Sequence, residues 1–142
     1  MPVFVDTNVL VYARDAGETI KQPRALAWLH HLWRTRSGRL SYQVLQEFYV
    51  TVTRKLDPGL APAEARADLR AFLAWRPVGV DGEMLEAAWT LEDRHSLSFW
   101  DALILAAAQA AGCERVLSED LSDGETYGGV EVVNPFRHEP VS

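Results

Sequence analysis

The sequence predicts an α/β fold: a single domain over residues 1–142 with a short, mainly parallel central sheet flanked by helices on both faces, an α/β/α arrangement. Two observations carry this. Short apolar runs alternate along the chain with stretches of helical periodicity, the order that builds a parallel sheet covered by helices. The chain also has 142 residues, 48% hydrophobic and 24% charged, which suits one ordinary globular core and excludes disorder.

"VFVDTNVLVYA" opens the chain from residue 3, and predicts a buried strand at 3–5 followed by a short helix at 7–13. "IKQPRALAWLHHLWRTR" aligns Ala25, Leu26, Leu29, Leu32 and Trp33 at amphipathic-helix spacing. "SGRLSY" reads as a turn and a short strand. "QVLQEFYVTVTRKL" is helical by Val44, Leu45, Phe48, Val52 and Leu56, and Asp57-Pro58-Gly59 ends it. "PAEARADLRAFLAW" begins with a proline suited to a first helical turn and aligns Ala65, Leu69, Phe72 and Leu73. "RPVGV" offers a short strand, and 82–95 a further helix. Residues 98–111 are apolar almost all round, as in a helix sandwiched between neighbours, with Gly112 placed to terminate it. "ERVLSED" gives a strand running into a loop, "SEDLSDGETYGG" a turn region, and "VEVVNP" a last strand.

Charge and cysteine usage narrow the function. The single cysteine, Cys113, forms no internal disulfide, so a reducing, cytoplasmic setting is expected. The N-terminal apolar run is broken by Asp6 and Asn8, and no stretch has the length of a membrane span. A net charge of −6 disfavours nonspecific nucleic-acid binding, yet twelve of the fourteen basic residues are arginine. Arg34, Arg36 and Arg39 cluster, and arginine's planar fork suits phosphate; the same residues also fit a solvated face. Trp28, Trp33, Trp75, Trp89 and Trp100 are read as core by default, some of them as an interface.

Several acids merit individual weighing. In open α/β sheets ligands bind beyond the carboxyl ends of the strands, where Asp6 and Asp120 are expected. Asp6 fits a helix N-cap equally well. Ser98 to Asp101 has capping-box spacing, but Asp101 also lies among Trp100 and Ala102 to Leu105, where a carboxylate needs a partner cation. Glu47 falls away from the apolar stripe of its helix, with Thr51 rather than a base four residues on; it reads as a solvated glutamate or as a ligand. Asp120 and Asp123 are also plausible turn aspartates. Several carboxylates gathered in one crevice repel one another, and a divalent cation reverses that repulsion. Oxygen ligands favour magnesium or manganese, no Cys/His spacing favours zinc, and such a site can cleave a phosphodiester with water.

Taken together, "VFVDTNVLVYA", "SYQVLQEFY", "SFWDALILAAA" and "VLSEDLSDG…VEVVNPF" resemble the PIN-domain family, specifically VapC-type toxins, over nearly the whole chain. The resemblance implies an endoribonuclease dependent on Mg2+ or Mn2+, commonly a homodimer, silenced by a small cognate antitoxin. It implies that Asp6, Glu47, Asp101 and Asp120 form the acidic core and hold metal. Thr7, Asn8 and Ser118 match polar residues that steady it, and Asp123 matches a less uniform acidic position. No histidine is needed as a base, so His30, His31, His95 and His138 are expected at the surface or in packing. RNA is expected along rim arginines, with Arg14, Arg34, Arg36 and Arg39 as candidates. Two rivals remain: another metal-dependent phosphoryl-transfer enzyme, although Asn8 breaks the haloacid-dehalogenase pattern, and a catalytically silent module that docks a basic segment.

Overall fold

The computed structural model describes residues 1–140; the final two residues of the expected domain lie outside the described residues. Residues 3–5 form β1 (Val3–Val5), buried throughout, as a strand covered on both faces must be. The chain continues through α1 (Thr7–Arg14), α2 (Lys21–Thr35), β2 (Gly38–Arg39) and α3 (Tyr42–Val50), which a π-helical turn (Thr51–Lys55) extends. Next come α4 (Pro62–Phe72) with a closing 3-10 turn (Leu73–Trp75), α5 (Gly82–His95) and α6 (Phe99–Ala110). The strands β3 (Arg115–Leu117), β4 (Thr126–Tyr127) and β5 (Val130–Val133) complete one α/β domain.

The sheet order is β2-β1-β3-β5-β4. Its first four strands are parallel, and β4 pairs antiparallel with β5. From β1 the chain first builds outward to β2 on one side, then returns to place β3 on the other. The strand order therefore reverses between β1 and β3, the place where an open α/β sheet forms a crevice. Val5 is in register with Leu117, so the next residues, Asp6 and Ser118, emerge side by side.

The expected layout holds with local differences. β4 was not expected; Gly128 and Gly129, both at positive φ (54° and 82°), join it to β5 in a two-residue hairpin that only such backbones allow. "RPVGV" contributes only an isolated bridge between Val78 and Ser41, consistent with Pro77 lacking an amide hydrogen. In α2 the buried stripe is Ala25, Trp28, Leu29 and Leu32, while Leu26 and Trp33 are 42% and 37% exposed. Both stripes share Ala25, Leu29 and Leu32, so periodicity alone does not choose between them. Trp28 goes inward because its Nε1 donates to the carbonyls of Pro135 and His138, at 3.2 and 2.9 Å. Trp89 and Trp100 are not core residues: they are 45% and 64% exposed. α6 buries Ala102 to Ala108 without a break, and Trp100 in its first turn lies outside that stretch.

One close approach fixes the β2 edge. A methyl group placed on Gly38 would come within 2.6 Å of the Trp75 ring. Trp75 is itself packed against Trp33 and Phe72, with ring centroids 4.9 and 5.0 Å away, so moving it disturbs both neighbours. Gly38→Ala is expected to destabilise the protein by about 2 kcal/mol, read from urea denaturation midpoints.

Candidate active site

The site grows from the ends of β1 and β3. Asp6 follows β1, is only 6% exposed, and begins α1 with its carboxylate accepting from the Thr7 amide at 2.8 Å. It is thus a helix cap and a crevice residue at once; the two readings of its sequence context are compatible. Its second oxygen, Oδ2, accepts from the Ser118 hydroxyl at 2.7 Å and from the Asn8 side-chain amide at 3.2 Å. Ser118 is fully buried, and its hydroxyl oxygen also accepts from the Asp120 backbone amide at 3.1 Å, shaping the turn after β3.

Asn8 joins the two aspartates. Its Nδ2 donates both to Asp6 Oδ2 and, at 3.0 Å, to Asp120 Oδ2. The Glu119 backbone amide donates to Asn8 Oδ1 at 3.3 Å, which fixes which end of the amide faces the acids. Glu47 arrives from α3, whose first turn is capped by Ser41 Oγ accepting from Val44 N at 3.2 Å. Glu47 Oε1 accepts from Gln43 Nε2 at 3.0 Å and, in a long contact of 3.5 Å, from the Thr7 hydroxyl.

Electrostatics follow from this crowding. Burial pushes the Asp6 carboxyl up to about 6; hydrogen bonds from Ser118 and Thr7 pull the other way, and the charges of Asp120 and Glu47 push it higher still. Asp120 and Glu47 therefore both lie close enough for their charges to act on Asp6. Asp101 takes no part in this network. Its backbone amide donates to the Ser98 capping hydroxyl at 3.1 Å, but its half-buried carboxylate has no hydrogen-bond or ion-pair partner among the described residues. Among the described residues, no three His, Cys, Asp or Glu side chains stand in a ready-made metal cluster.

The remaining candidates have other attachments. Asp123 accepts from the Asn134 amide and contacts His138 Nε2, both at 2.8 Å, and these bonds hold its carboxyl below the usual range. It fastens the turn after β3 to the segment beyond β5. Arg14 forms a two-pronged bond to Asp68 at 2.7 and 2.6 Å. Arg34 contacts His31 at 3.4 Å, and Arg39 donates to the carbonyls of Arg36 and Gly38. His30 and His138 are exposed, and half-buried His95 packs edge-on to Tyr127.

Two contributors were not anticipated. Gln43 lies one helical turn before Glu47, a spacing that could have flagged it as the residue orienting that carboxylate. Glu119 is held by Tyr12 at 2.9 Å and Lys21 at 2.5 Å, which clasps the turn carrying Asp120 onto α1 and α2. No local pattern announces that contact across a hundred residues of chain.

Comparison with known proteins adds a family. A family model described as PIN domain matches residues 3–122. Comparison with curated protein sequences gives no significant match. Among solved structures, Mycobacterium tuberculosis VapC20, a Sarcin-Ricin loop cleaving toxin, is similar with a TM-score of 0.63 and 26% identity, covering 83% of this chain and 91% of that one. A toxin–antitoxin complex from Klebsiella pneumoniae gives a TM-score of 0.66 at 19% identity, covering 95% of this chain and 98% of that one. VapBC2 from Rickettsia felis, bound to a DNA fragment from its promoter, gives 0.61 at 15% identity, covering 93% and 97%. The last two likenesses speak to the fold alone.

Proposed function

Because the chain belongs to the PIN domain family, we propose that it is an RNA-cleaving, divalent-metal-dependent endoribonuclease and the toxin of a VapBC-type pair. The observation that carries this reading is the carboxylate group at the β1–β3 switch point, where buried Asp6 is crowded by Asp120 and Glu47. Such crowding is unfavourable without a cation and suits one made for oxygen ligands. The donor set fits magnesium or manganese: carboxylates, with hydroxyl and amide groups around them, and no sulfur or imidazole.

Asp6, Glu47, Asp120 and Asp101 would hold the ion or ions. When bound, the metal supplies charge that lowers the pKa of water and stabilises the developing phosphorane-like charge. The chain's own residues prepare that setting. Ser118 and the Thr7 amide lock the Asp6 carboxylate in one orientation, and Gln43 does the same for Glu47. Asn8 spaces Asp6 from Asp120 with its amide hydrogens, and thereby keeps the crevice formed before any cation enters. Asp101, whose carboxylate has no partner among the described residues, joins this set through the resemblance of its sequence context to the family pattern.

The partner set follows from the same reading: an RNA substrate, a second copy of the chain, and a small antitoxin. The likeness to VapC20, itself described as a toxin, supports the last, and the exposed indoles Trp89 and Trp100 suit protein interfaces. Free, buried Cys113 agrees with a reducing, cytoplasmic setting, and among the described residues no helix is long and apolar enough to cross a membrane. The test is incubation of the purified chain with a mixed RNA pool. Cleavage is expected with magnesium or manganese and is expected to stop on adding chelator. An unchanged pool under both metals would overturn the nuclease reading and favour a silent binding module.

A further inference from the structure

Around β2, where Arg36 and Arg39 flank Gly38, lies a pocket of about 300 Å³ lined by Trp33, Arg36, Arg39, Trp75 and Arg76. No carboxylate lines it. Among the described residues none of the three arginines is in an ion pair. Arg39 uses only Nη1, at 3.3 and 2.8 Å from the carbonyls of Arg36 and Gly38, so its other nitrogens carry no partner there.

The backbone gives an independent sign. Arg36, after α2, and Arg76, after the 3-10 turn, both adopt left-handed conformations with φ of 55°. Such positions favour glycine, because a side chain strains them. Here both carry arginine, and both side chains line the same pocket. A positive charge at a helix carboxyl end can favour the helix dipole, which accounts for Arg36 and, because the 3-10 turn continues α4, for Arg76 as well. It does not account for Arg39 on a strand, nor for the convergence of all three arginines on one cavity that holds no acid.

We propose that this pocket binds a phosphodiester group of an RNA strand, with the guanidinium forks of Arg36, Arg39 and Arg76 on phosphate oxygens. A neighbouring base rests on the ring of Trp33, which is 37% exposed. RNA as the source of the phosphate rests on the nuclease reading above. The pocket supplies what the acidic crevice cannot. With a net charge of −6 and clustered carboxylates at the reacting end, the chain needs a separate cationic anchor to hold a polyanion.

The test is fluorescence anisotropy with a short labelled single-stranded RNA, in chelator so that the strand stays intact. The double variant Arg36→Gly/Arg76→Gly is expected to bind at least about tenfold more weakly, with a salt dependence lowered by about one unit of slope. Its thermal midpoint is expected to be equal or higher, because glycine relieves both backbones; a merely structural role would lower it. Arg39→Gln, which leaves the β2 backbone as it is, is expected to weaken binding several-fold. Wild-type affinity and salt slope in both variants would overturn the proposal. So would intact RNA binding with loss of a polyglutamate probe, which would make this a docking pocket for an acidic polypeptide. A chain that cleaves RNA but ignores these substitutions sinks this inference alone. One that binds RNA through them and cleaves none sinks the nuclease reading alone.

Discussion

Asp6→Asn is expected to abolish RNA cleavage while making the metal-free protein more stable. The loss of activity follows from removing a buried charge from the proposed metal site. Metal-ion stabilisation of a transition state is worth several kcal/mol, so a fall of at least about 1000-fold is expected. The gain in stability follows from the Asp6 carboxyl, which burial and its acidic neighbours push from 3.8 to about 6. Its proton binds more tightly in the folded chain. The associated stabilisation is therefore complete below the unfolded value near 3.8 and is lost as pH rises through about 6. Near neutral pH the wild-type carboxylate is ionised in a crowded, buried place, at a cost of roughly 3 kcal/mol. Asparagine removes the charge but sets its own amide against that of Asn8, which takes back part of the gain. A net stabilisation of about 1 kcal/mol is expected, or a few degrees in thermal midpoint. Two further readouts separate this account from a general packing effect. Lowering the pH from neutral toward 5 should stabilise the metal-free wild type relative to the variant. Added magnesium or manganese should raise the wild-type midpoint and leave the variant's unmoved.

Asp101→Asn is the second large effect, and its value lies in what it leaves untouched. The Asp101 carboxylate has no partner among the described residues, and the bond to the Ser98 cap uses its backbone amide. The only structural loss is a negative charge in the first turn of α6, worth about 0.5 kcal/mol. Thermal midpoint and circular dichroism should stay within a degree or two of wild type. Cleavage should fall at least about 100-fold if Asp101 is one of the metal ligands, as proposed above. Full cleavage by this variant would remove Asp101 from the active set and leave Asp6, Glu47 and Asp120 to explain the chemistry.

What the amino-acid order disclosed depends on how local each determinant is. β1, α1 and α6 were readable because Val3 to Val5 and Ala102 to Ala108 are buried continuously and interrupted by few competing patterns. Asp6 was readable as a strand-end acid because the topology rule needs only the strand. Glu47 was not, since its place depends on Gln43, Thr7 and the packing of α3 against α1. The buried face of α2 is not set locally for a similar reason: the carbonyls that draw Trp28 inward belong to residues more than a hundred positions later. β4 depended on two consecutive left-handed glycines, a signal that was present but read only as a turn. The pairing of Arg14 with Asp68 likewise needed three dimensions.

The position of β3 has a consequence for how the protein is made. This strand is laid down only after residue 114, yet it must slot in beside β1 at the other extreme of the chain. Until then Asp6 lacks both the hydroxyl that orients it and the aspartate that completes its surroundings. A polypeptide still emerging from the ribosome, or one cut short before β3, therefore has no working centre. On the nuclease reading, the nascent chain is expected to leave RNA intact until β3 and Asp120 have been made and have docked beside β1.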